Sequence, residues 1–174
     1  MDRERKGYIQ LYCGNGKGKT TAALGLSLRT LQSGGSVFFA QFFKRTDTAE
    51  MELVSFCDRF VMEQYGTGNF IIGQPPEEDQ KNAKNGLEHC KRVLESGYFD
   101  LVVLDEIILS TFYQIITASE IINVIQSRKP WVEVVLTGRK APHELIEMAD
   151  LVTEMRKVKH YFDAGVKARK GIEY

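Results

Sequence analysis

A short run of glycines and lysines near the N-terminus most constrains what this chain can fold into. It reads Cys13-Gly14-Asn15-Gly16-Lys17-Gly18-Lys19-Thr20-Thr21 and follows an apolar run at residues 8–12. The pattern G-x-x-x-x-G-K-(S/T) between a strand and a helix is typical of a phosphate-binding loop, whose backbone N–H groups surround phosphate oxygens. The alternative is an ordinary Gly-rich turn. A Gly-Lys-Thr-Thr sequence that opens a helical run favours the phosphate loop.

Individual residue types in this loop match the chemistry of a triphosphate. Lys19 supplies a positive charge to the phosphates and Thr20 a hydroxyl to Mg²⁺, while the helix that begins here points the positive end of its dipole at them. Cys13 stands where the pattern has its first glycine, but three alternate glycines follow and keep the backbone free to wrap an anion. The dinucleotide fingerprint G-x-G-x-x-G does not fit, because a run beginning at Gly14 ends on Lys19.

Length and composition predict one ordinary globular domain over residues 1–174, with a basic tail at 157–174. A chain of 174 residues can fill one core but is short for two. Lys+Arg and Asp+Glu balance at 23 each, so nothing in the charge indicates nucleic acid or a membrane surface. No apolar run approaches the roughly 18 residues of a membrane span, and residues 1–6 lack the apolar core of a signal peptide. We therefore expect a cytoplasmic protein whose three cysteines are reduced thiols.

Short apolar runs rich in β-forming residues alternate with helical stretches, which predicts βαβ units and a mostly parallel sheet of about six strands. The predicted strands are residues 8–13, 37–43, 59–65, 99–105, 132–137 and 150–155. The predicted helices are residues 19–33, 49–56, 77–96, 117–128 and 142–148. The longest irregular stretch is residues 66–76, and the tail is rich in turns. The fold class is therefore α/β, with helices on both faces of the sheet.

The fourth predicted strand ends in two adjacent carboxylates, Asp105 and Glu106. In phosphate-loop proteins an acid at the end of such a strand holds Mg²⁺ opposite the loop hydroxyl, because a hard cation prefers oxygen ligands. Acids commonly begin loops, so the pair is weak on its own and gains weight from the phosphate loop. Spacing does not decide which acid contacts the metal. Together the two features predict a Mg·nucleoside-triphosphate site but not its reaction, which could be phosphoryl transfer, hydrolysis or chemistry elsewhere on the nucleotide.

Three more segments lie where strand ends would meet a nucleotide. Arg139 follows the fifth strand, and Lys44 follows the second; each could reach an anionic ligand, or could equally be a solvated surface charge. His160 lies in the tail, where a packed or solvent-facing histidine is the more ordinary interpretation.

Taken together, these segments resemble the P-loop type of ATP:corrinoid adenosyltransferase. The matching residues are 14–21, 41–42, 102–106, 136–139, 149–156, 158–160, 162–168 and 171–174. The resemblance runs from about Gly7 to the C-terminus, and the family's loop also lacks the first glycine. The tail is its most specific part, because few other P-loop proteins carry anything similar.

The resemblance implies an activity and its participants. Members transfer the 5′-deoxyadenosyl group of ATP to the Co(I) centre of a reduced corrinoid, forming adenosylcobalamin and releasing triphosphate. The resemblance also implies a RecA-like fold, ATP as co-substrate, Mg²⁺ or Mn²⁺ as the metal, a flavoprotein as electron donor, and a homodimer.

The resemblance also implies roles for individual residues. The catalytic residues are Lys19, Thr20 and Glu106, and the metal contacts are Thr20 and Glu106 with Asp105 in support. Lys17 would reach a terminal phosphate and Asn15 other nucleotide oxygens. The complete set expected to bind ATP or corrinoid is Gly14, Asn15, Gly16, Lys17, Gly18, Lys19, Thr20, Thr21, Lys44, Phe70, Arg139 and His160.

One region departs from the family pattern. Members usually have a G-F-x-W stretch after the third strand that helps enclose the corrinoid, whereas here Gly68 is followed by Asn69-Phe70-Ile71-Ile72. An apolar pair thus replaces the tryptophan, which leaves the preference among corrinoids open. Two other classes share the loop and the acid pair. A thymidine-kinase-like enzyme would need a base and a four-cysteine zinc site, and a non-catalytic cofactor carrier would bind ATP without turnover.

Overall fold

The computed structural model describes residues 6–44, 49–52, 56–68, 71 and 73–173. Its centre is a six-stranded sheet in the order β3-β2-β4-β5-β1-β6, in which every neighbouring pair is parallel. The strands are β1 Ile9–Cys13, β2 Val37–Phe42, β3 Phe60–Tyr65, β4 Leu101–Asp105, β5 Glu133–Thr137 and β6 Leu151–Glu154. The predicted α/β fold with a parallel sheet of about six strands is confirmed, and it is consistent with a RecA-like P-loop fold.

Helices cover the sheet on both sides. They are α1 Lys19–Gln32, α2 Glu77–Ser96, α3 Ile108–Phe112, α4 Ala118–Gln126 and α5 His143–Met148, with 3-10 turns at Ala49–Glu52 and Tyr161–Ala164. The long helix has its predicted bounds, because three acids occupy its first turn and Gly97 takes the left-handed conformation that ends it. Of the short helix expected at 49–56, Ala49–Glu52 form a 3-10 turn and Phe56 is helical, while residues 53–55 lie outside the described residues. The α3 helix was not predicted.

The core consists of two layers, one on each face of the sheet. Every residue of β2, β4 and β5 is buried, so these strands read as continuous apolar runs rather than as alternating ones. Phe38 faces the layer formed with α2 and α4, and Phe39 faces the layer formed with α1. The described helices include none long and apolar enough to cross a membrane.

An all-parallel sheet brings the carboxyl ends of its strands to one edge, where ligands bind in open α/β sheets. The phosphate loop follows β1, the acid pair ends and follows β4, Arg139 follows β5, and Lys44 follows β2. The topology therefore brings these four separately predicted segments to one edge of the sheet.

Candidate nucleotide-binding site

Lys19 is folded into the phosphate loop. Its side chain is 7% exposed, and its Nζ donates hydrogen bonds to the carbonyl oxygens of Gly14 at 2.8 Å and Gly16 at 2.9 Å. Burial lowers the pKa of this ammonium, with Glu106 acting in the opposite direction. The lysine is thus held at the mouth of the loop, where a phosphate oxygen would compete with the two carbonyls for its protons.

Two glycines of the loop serve close packing as well as conformation. A Cβ on Gly14 would lie 2.4 Å from the carbonyl oxygen of Met155, and one on Gly16 would lie 2.8 Å from it. The N–H of Gly14 donates to Arg139 O at 2.9 Å, and that of Gly16 donates to Met155 O at 2.7 Å. These two N–H groups are used within the protein, so they are not free to bind an anion.

Asp105 ties the phosphate loop to the centre of the sheet. The carboxylate is fully buried, and its Oδ1 accepts hydrogen bonds from the hydroxyls of Thr20 at 2.9 Å and Thr137 at 2.7 Å. Its Oδ2 accepts from Gln41 Nε2 at 3.2 Å and lies 3.5 Å from Lys44 Nζ. The loop hydroxyl was predicted to share Mg²⁺ with the acid pair; in this structure it donates directly to the first of the two acids.

Glu106 has different surroundings from its neighbour. Its backbone is left-handed, with φ +60°, a conformation that is uncommon for residues other than glycine and is found at functional sites. Burial, and then the charge of Asp105, raises the pKa of its carboxyl, against the lowering effect of Lys19, Lys44 and Arg139. Within the described residues no donor hydrogen-bonds to this carboxylate, so its oxygens face the cavity without a protein partner.

The donor set at this edge fits a hard divalent cation. Thr20, Asp105 and Glu106 offer one hydroxyl and two carboxylates, and one carboxylate oxygen of Glu50, in the same cavity, is buried without a hydrogen bond. Among the described residues no group of three or more His, Cys, Asp or Glu could hold a metal ion by itself. A metal here would complete its coordination with phosphate oxygens and water, which is the usual arrangement for Mg²⁺.

The C-terminal tail forms a wall of the phosphate-loop cavity. Lys17 Nζ donates to Ile172 O at 3.0 Å and to Glu173 at 2.9 Å, and Asn15 Oδ1 accepts from the N–H of Lys157 at 2.9 Å. The cavity measures about 480 Å³. It is lined by the loop from Asn15 to Thr21, by Leu24, Lys44, Glu50, Glu106, Arg139 and His160, and by Gly171, Ile172 and Glu173.

A second cavity of about 500 Å³ adjoins the first. Its lining is mostly apolar and includes Phe42, Phe43, Ile71, Ile108, Leu109, Phe112 and Tyr113. Lys44, Glu106 and Arg139 border both cavities. The ring of Tyr113 packs edge-on against Phe43, with centroids 5.9 Å apart, and against Phe112 at 5.4 Å.

Most of the predicted binding residues meet at the first cavity. Gly14 is the exception, because it lies behind the loop and lines a different cavity with Arg156 and Lys157. Phe70 lies outside the described residues. His160 does line the first cavity, at the phosphate loop, and its Nδ1 accepts a hydrogen bond from the N–H of Phe162 at 3.1 Å.

Sequence reasoning missed several residues of the site. Glu50 belongs to no motif. Thr137 appears in the sequence analysis only as the end of the predicted strand 132–137 and within the matching run 136–139. Phe112 ends a helix that is too short for a periodic signal, and Tyr113 follows it directly. Only their placement after β4, next to the acid pair, could have drawn attention to the two aromatic residues.

Comparison with known proteins identifies relatives over nearly the whole chain. The model of the family described as ATP:corrinoid adenosyltransferase BtuR/CobO/CobP matches residues 5–174. The corrinoid adenosyltransferase of Escherichia coli K12 is 35% identical over 179 aligned positions, which cover 99% of this chain and 88% of that protein. The corrinoid adenosyltransferase CobA of Salmonella typhimurium is 36% identical over the same shares. A corrinoid adenosyltransferase of Sinorhizobium is 37% identical over 98% of this chain and 82% of its own length.

Proposed function

This chain belongs to the ATP:corrinoid adenosyltransferase family, and we propose that its two adjoining cavities hold the two substrates of adenosyl transfer. ATP would occupy the polar cavity at the phosphate loop, and the corrin ring the aromatic one. The observation that carries this assignment is the shared border. Lys44, Glu106 and Arg139 line both cavities, so a ribose at the boundary would present its C5′ to a cobalt on the other side.

In this reaction the protein needs only to align the two substrates and to stabilise the negative charge of the leaving triphosphate. The Co(I) electron pair forms a bond to C5′. The bond from C5′ to the triphosphate oxygen breaks, and the triphosphate departs with the electrons of the broken bond. No proton moves, so no general base is required. Lys19 and the N–H groups at the start of α1 would stabilise the negative charge that develops on the leaving group, and holding the two substrates in line supplies the rest.

The metal assignment follows from the different surroundings of the two acids. Both oxygens of Asp105 already accept hydrogen bonds, which suits it to orient Thr20. The carboxylate of Glu106 faces the cavity, so Thr20 and Glu106 are our candidates for direct contact with Mg²⁺ or Mn²⁺. A bound cation would supply additional stabilisation of triphosphate charge.

Other residues of the first cavity would bind the nucleotide itself. Because Nδ1 of His160 accepts a backbone hydrogen bond, the neutral ring carries its proton on Nε2, which can donate to a nucleotide oxygen. Arg139 adds a cation at the boundary and Asn15 an amide. The unpaired oxygen of Glu50 would accept a bond from a ribose hydroxyl or a metal-bound water.

The aromatic cavity offers the kind of contact that a corrin face needs. Phe43, Phe112 and Tyr113 present adjoining rings, and they would supply the apolar surface that the family tryptophan provides elsewhere. Phe70 remains a predicted member of this wall.

The partners rest on the resemblance to the family, and the compartment rests on the expectation from the sequence. We propose a homodimer, a flavoprotein that supplies the electron for Co(I), and a cytoplasmic location. Sedimentation at micromolar concentration tests the first of these.

Replacing one residue from each cavity tests the assignment of substrates. Phe112→Ala should raise the KM for the corrinoid about tenfold and leave the KM for ATP within twofold, because it removes one ring from the apolar wall. Tyr98→Ala is the matched control, since Tyr98 is an exposed ring that precedes β4, at the opposite edge of the sheet. An equal rise in both KM values for Phe112→Ala would contradict separate cavities.

A further inference from the structure

The chemistry described above does not explain the acid near the end of the tail, Glu173. Glu173 is the centre of a compact set of contacts. Its carboxylate accepts hydrogen bonds from Lys17 Nζ at 2.9 Å, from the N–H of Arg169 at 2.8 Å and from the hydroxyl of Tyr161. The Arg169 side chain adds a further contact at 3.3 Å.

This carboxylate is largely shielded although it lies in a turn over residues 170–173. Its side chain is only 17% exposed, compared with 39% for Lys17. Hydrogen bonds from Arg169, Tyr161 and Lys17 hold the pKa of the carboxyl far below its usual range, so it stays ionised at any pH at which the protein works. The contact with Lys17 spans 156 positions of sequence and joins the tail to the middle of the phosphate loop.

Lysine is a flexible cation, and fixing it in place has an entropic cost of about 2 kcal/mol. In this structure the Lys17 side chain is already ordered without a ligand, because Ile172 O and Glu173 accept two of the three ammonium protons. Both residues line the same cavity as the loop N–H groups. The ammonium is therefore held beside the phosphate loop in an ion pair with Glu173, with one proton that these two acceptors do not use.

We propose that Glu173 is a positioning residue that holds Lys17 over the phosphate loop and thereby makes the C-terminal tail a wall of the triphosphate subsite. The identity of the anion as the triphosphate of ATP rests on the proposed function. The positioning role itself concerns any linear polyphosphate that fits the loop.

Calorimetric titration with inorganic tripolyphosphate and Mg²⁺, without corrinoid, tests the proposal on the full chain. Glu173→Gln should weaken tripolyphosphate binding about tenfold, as expected for loss of a charge-assisted hydrogen bond that orders a cation. Tyr161→Phe, which removes one donor from the same carboxylate, should weaken it less. In adenosyl transfer the loss should fall on the KM for ATP, with kcat within about twofold of wild type.

A double-mutant cycle separates positioning from general order of the tail. In a Lys17→Met background, Glu173→Gln should change tripolyphosphate affinity by less than twofold, because the residue through which it acts is gone. Asp163→Asn is the matched control, since Asp163 pairs with Lys157 within the tail and does not contact Lys17. It should bind tripolyphosphate like the wild type.

Several results would overturn the proposal. Wild-type tripolyphosphate affinity in a folded Glu173→Gln protein would do so, as would an undiminished effect of Glu173→Gln in the Lys17→Met background or an equal loss in Asp163→Asn. Absence of adenosyl transfer in the wild type, together with the expected tenfold loss of tripolyphosphate binding in Glu173→Gln, would support the positioning role while contradicting the proposed function.

Discussion

Asp105 and Glu106 are adjacent in sequence, but the backbone sends them to different environments. Asp105 is the last residue of a buried strand, and four donors from three other segments surround it. Glu106 takes a left-handed φ of +60°, which turns its carboxylate out of the network and into the cavity. The first acid therefore organises protein groups, and the second is available to a ligand.

Conservative replacements of the two acids should separate these roles. Glu106→Gln should raise the Mg²⁺ concentration for half-maximal ATP binding at least about tenfold with little change in unfolding free energy, because it removes a ligand charge without breaking a protein hydrogen bond. Asp105→Asn should also lower the free energy of unfolding by about 1–3 kcal/mol, because an amide cannot accept all the bonds the carboxylate accepts. Calorimetric titration and urea unfolding measure the two effects. The reverse pattern would assign the metal contact to Asp105.

The raised pKa of Glu106 predicts a pH dependence with a definite sign. Its ionised form is the one that can hold a cation, and burial makes that form begin to protonate at a higher pH than an exposed glutamate would. Mg²⁺-dependent ATP binding should therefore weaken as the pH falls, beginning at a higher pH than an unperturbed glutamate would give. Titrations of ATP at several pH values check this. In Glu106→Gln this loss of ATP affinity at low pH should disappear. An unchanged loss would show that another group titrates.

Lys19 offers a direct test of the phosphate loop. Lys19→Ala should abolish measurable Mg·ATP binding and lower turnover by at least about a hundredfold, since it removes the main cation facing the leaving group. The fold should survive, because the lost contacts are two hydrogen bonds within the loop. Circular dichroism melting and ATP titration provide the comparison. Wild-type turnover in the variant would remove Lys19 from the mechanism.

At this scale the sequence predicted residues that belong to contiguous patterns. The loop from Asn15 to Thr21 and the acid pair are local motifs, and both lie where they were expected. Glu50 belongs to no motif, and the resemblance gives Glu173, within the matching run 171–174, no role. Both gain significance only from residues far away in the chain that line the same cavity.

At the scale of elements, the irregular stretch after β3 is attached to the start of α2 by one buried acid. Asp79 is 1% exposed and accepts hydrogen bonds from the N–H and the hydroxyl of Thr67, at 2.7 Å and 2.9 Å. This attachment fixes the chain four residues before Ile71, which lines part of the aromatic cavity.

Breaking this attachment should affect one substrate more than the other. Asp79→Ala removes the buried acceptor of two hydrogen bonds from Thr67, which should lower the free energy of unfolding by about 1–3 kcal/mol. It should raise the KM for the corrinoid several-fold while leaving the KM for ATP nearly unchanged. Urea unfolding and steady-state kinetics measure both. A larger effect on ATP would place this stretch at the nucleotide instead.

Element prediction succeeded where periodicity and end signals agreed. Residues 77–96 have charged first-turn residues, an apolar stripe and a terminal glycine, and form the predicted helix. Residues Ile108–Phe112 form a helix of one to two turns, too short for a hydrophobic period to be recognised. That helix supplies the aromatic wall, so the missed element is the one that shapes the second cavity.

For the whole molecule, parallel topology explains how scattered motifs become one site. Four strands of the sheet deliver the phosphate loop, the acid pair, Arg139 and Lys44 to the same edge. The sequence predicted the fold class and the family, because βαβ alternation and the loop are strong signals. It did not predict the pair of adjoining cavities, which depends on how loops from distant strands pack together.

The measurement that tests the account most directly is an anaerobic reaction with Mg·ATP and chemically reduced cob(I)alamin. The visible spectrum of the corrinoid and the phosphate products should be followed together. We predict a light-sensitive Co–C species formed in equal amount to intact triphosphate. Unchanged corrinoid with ADP and phosphate appearing instead would contradict adenosyl transfer and indicate an ordinary nucleotide hydrolase or kinase.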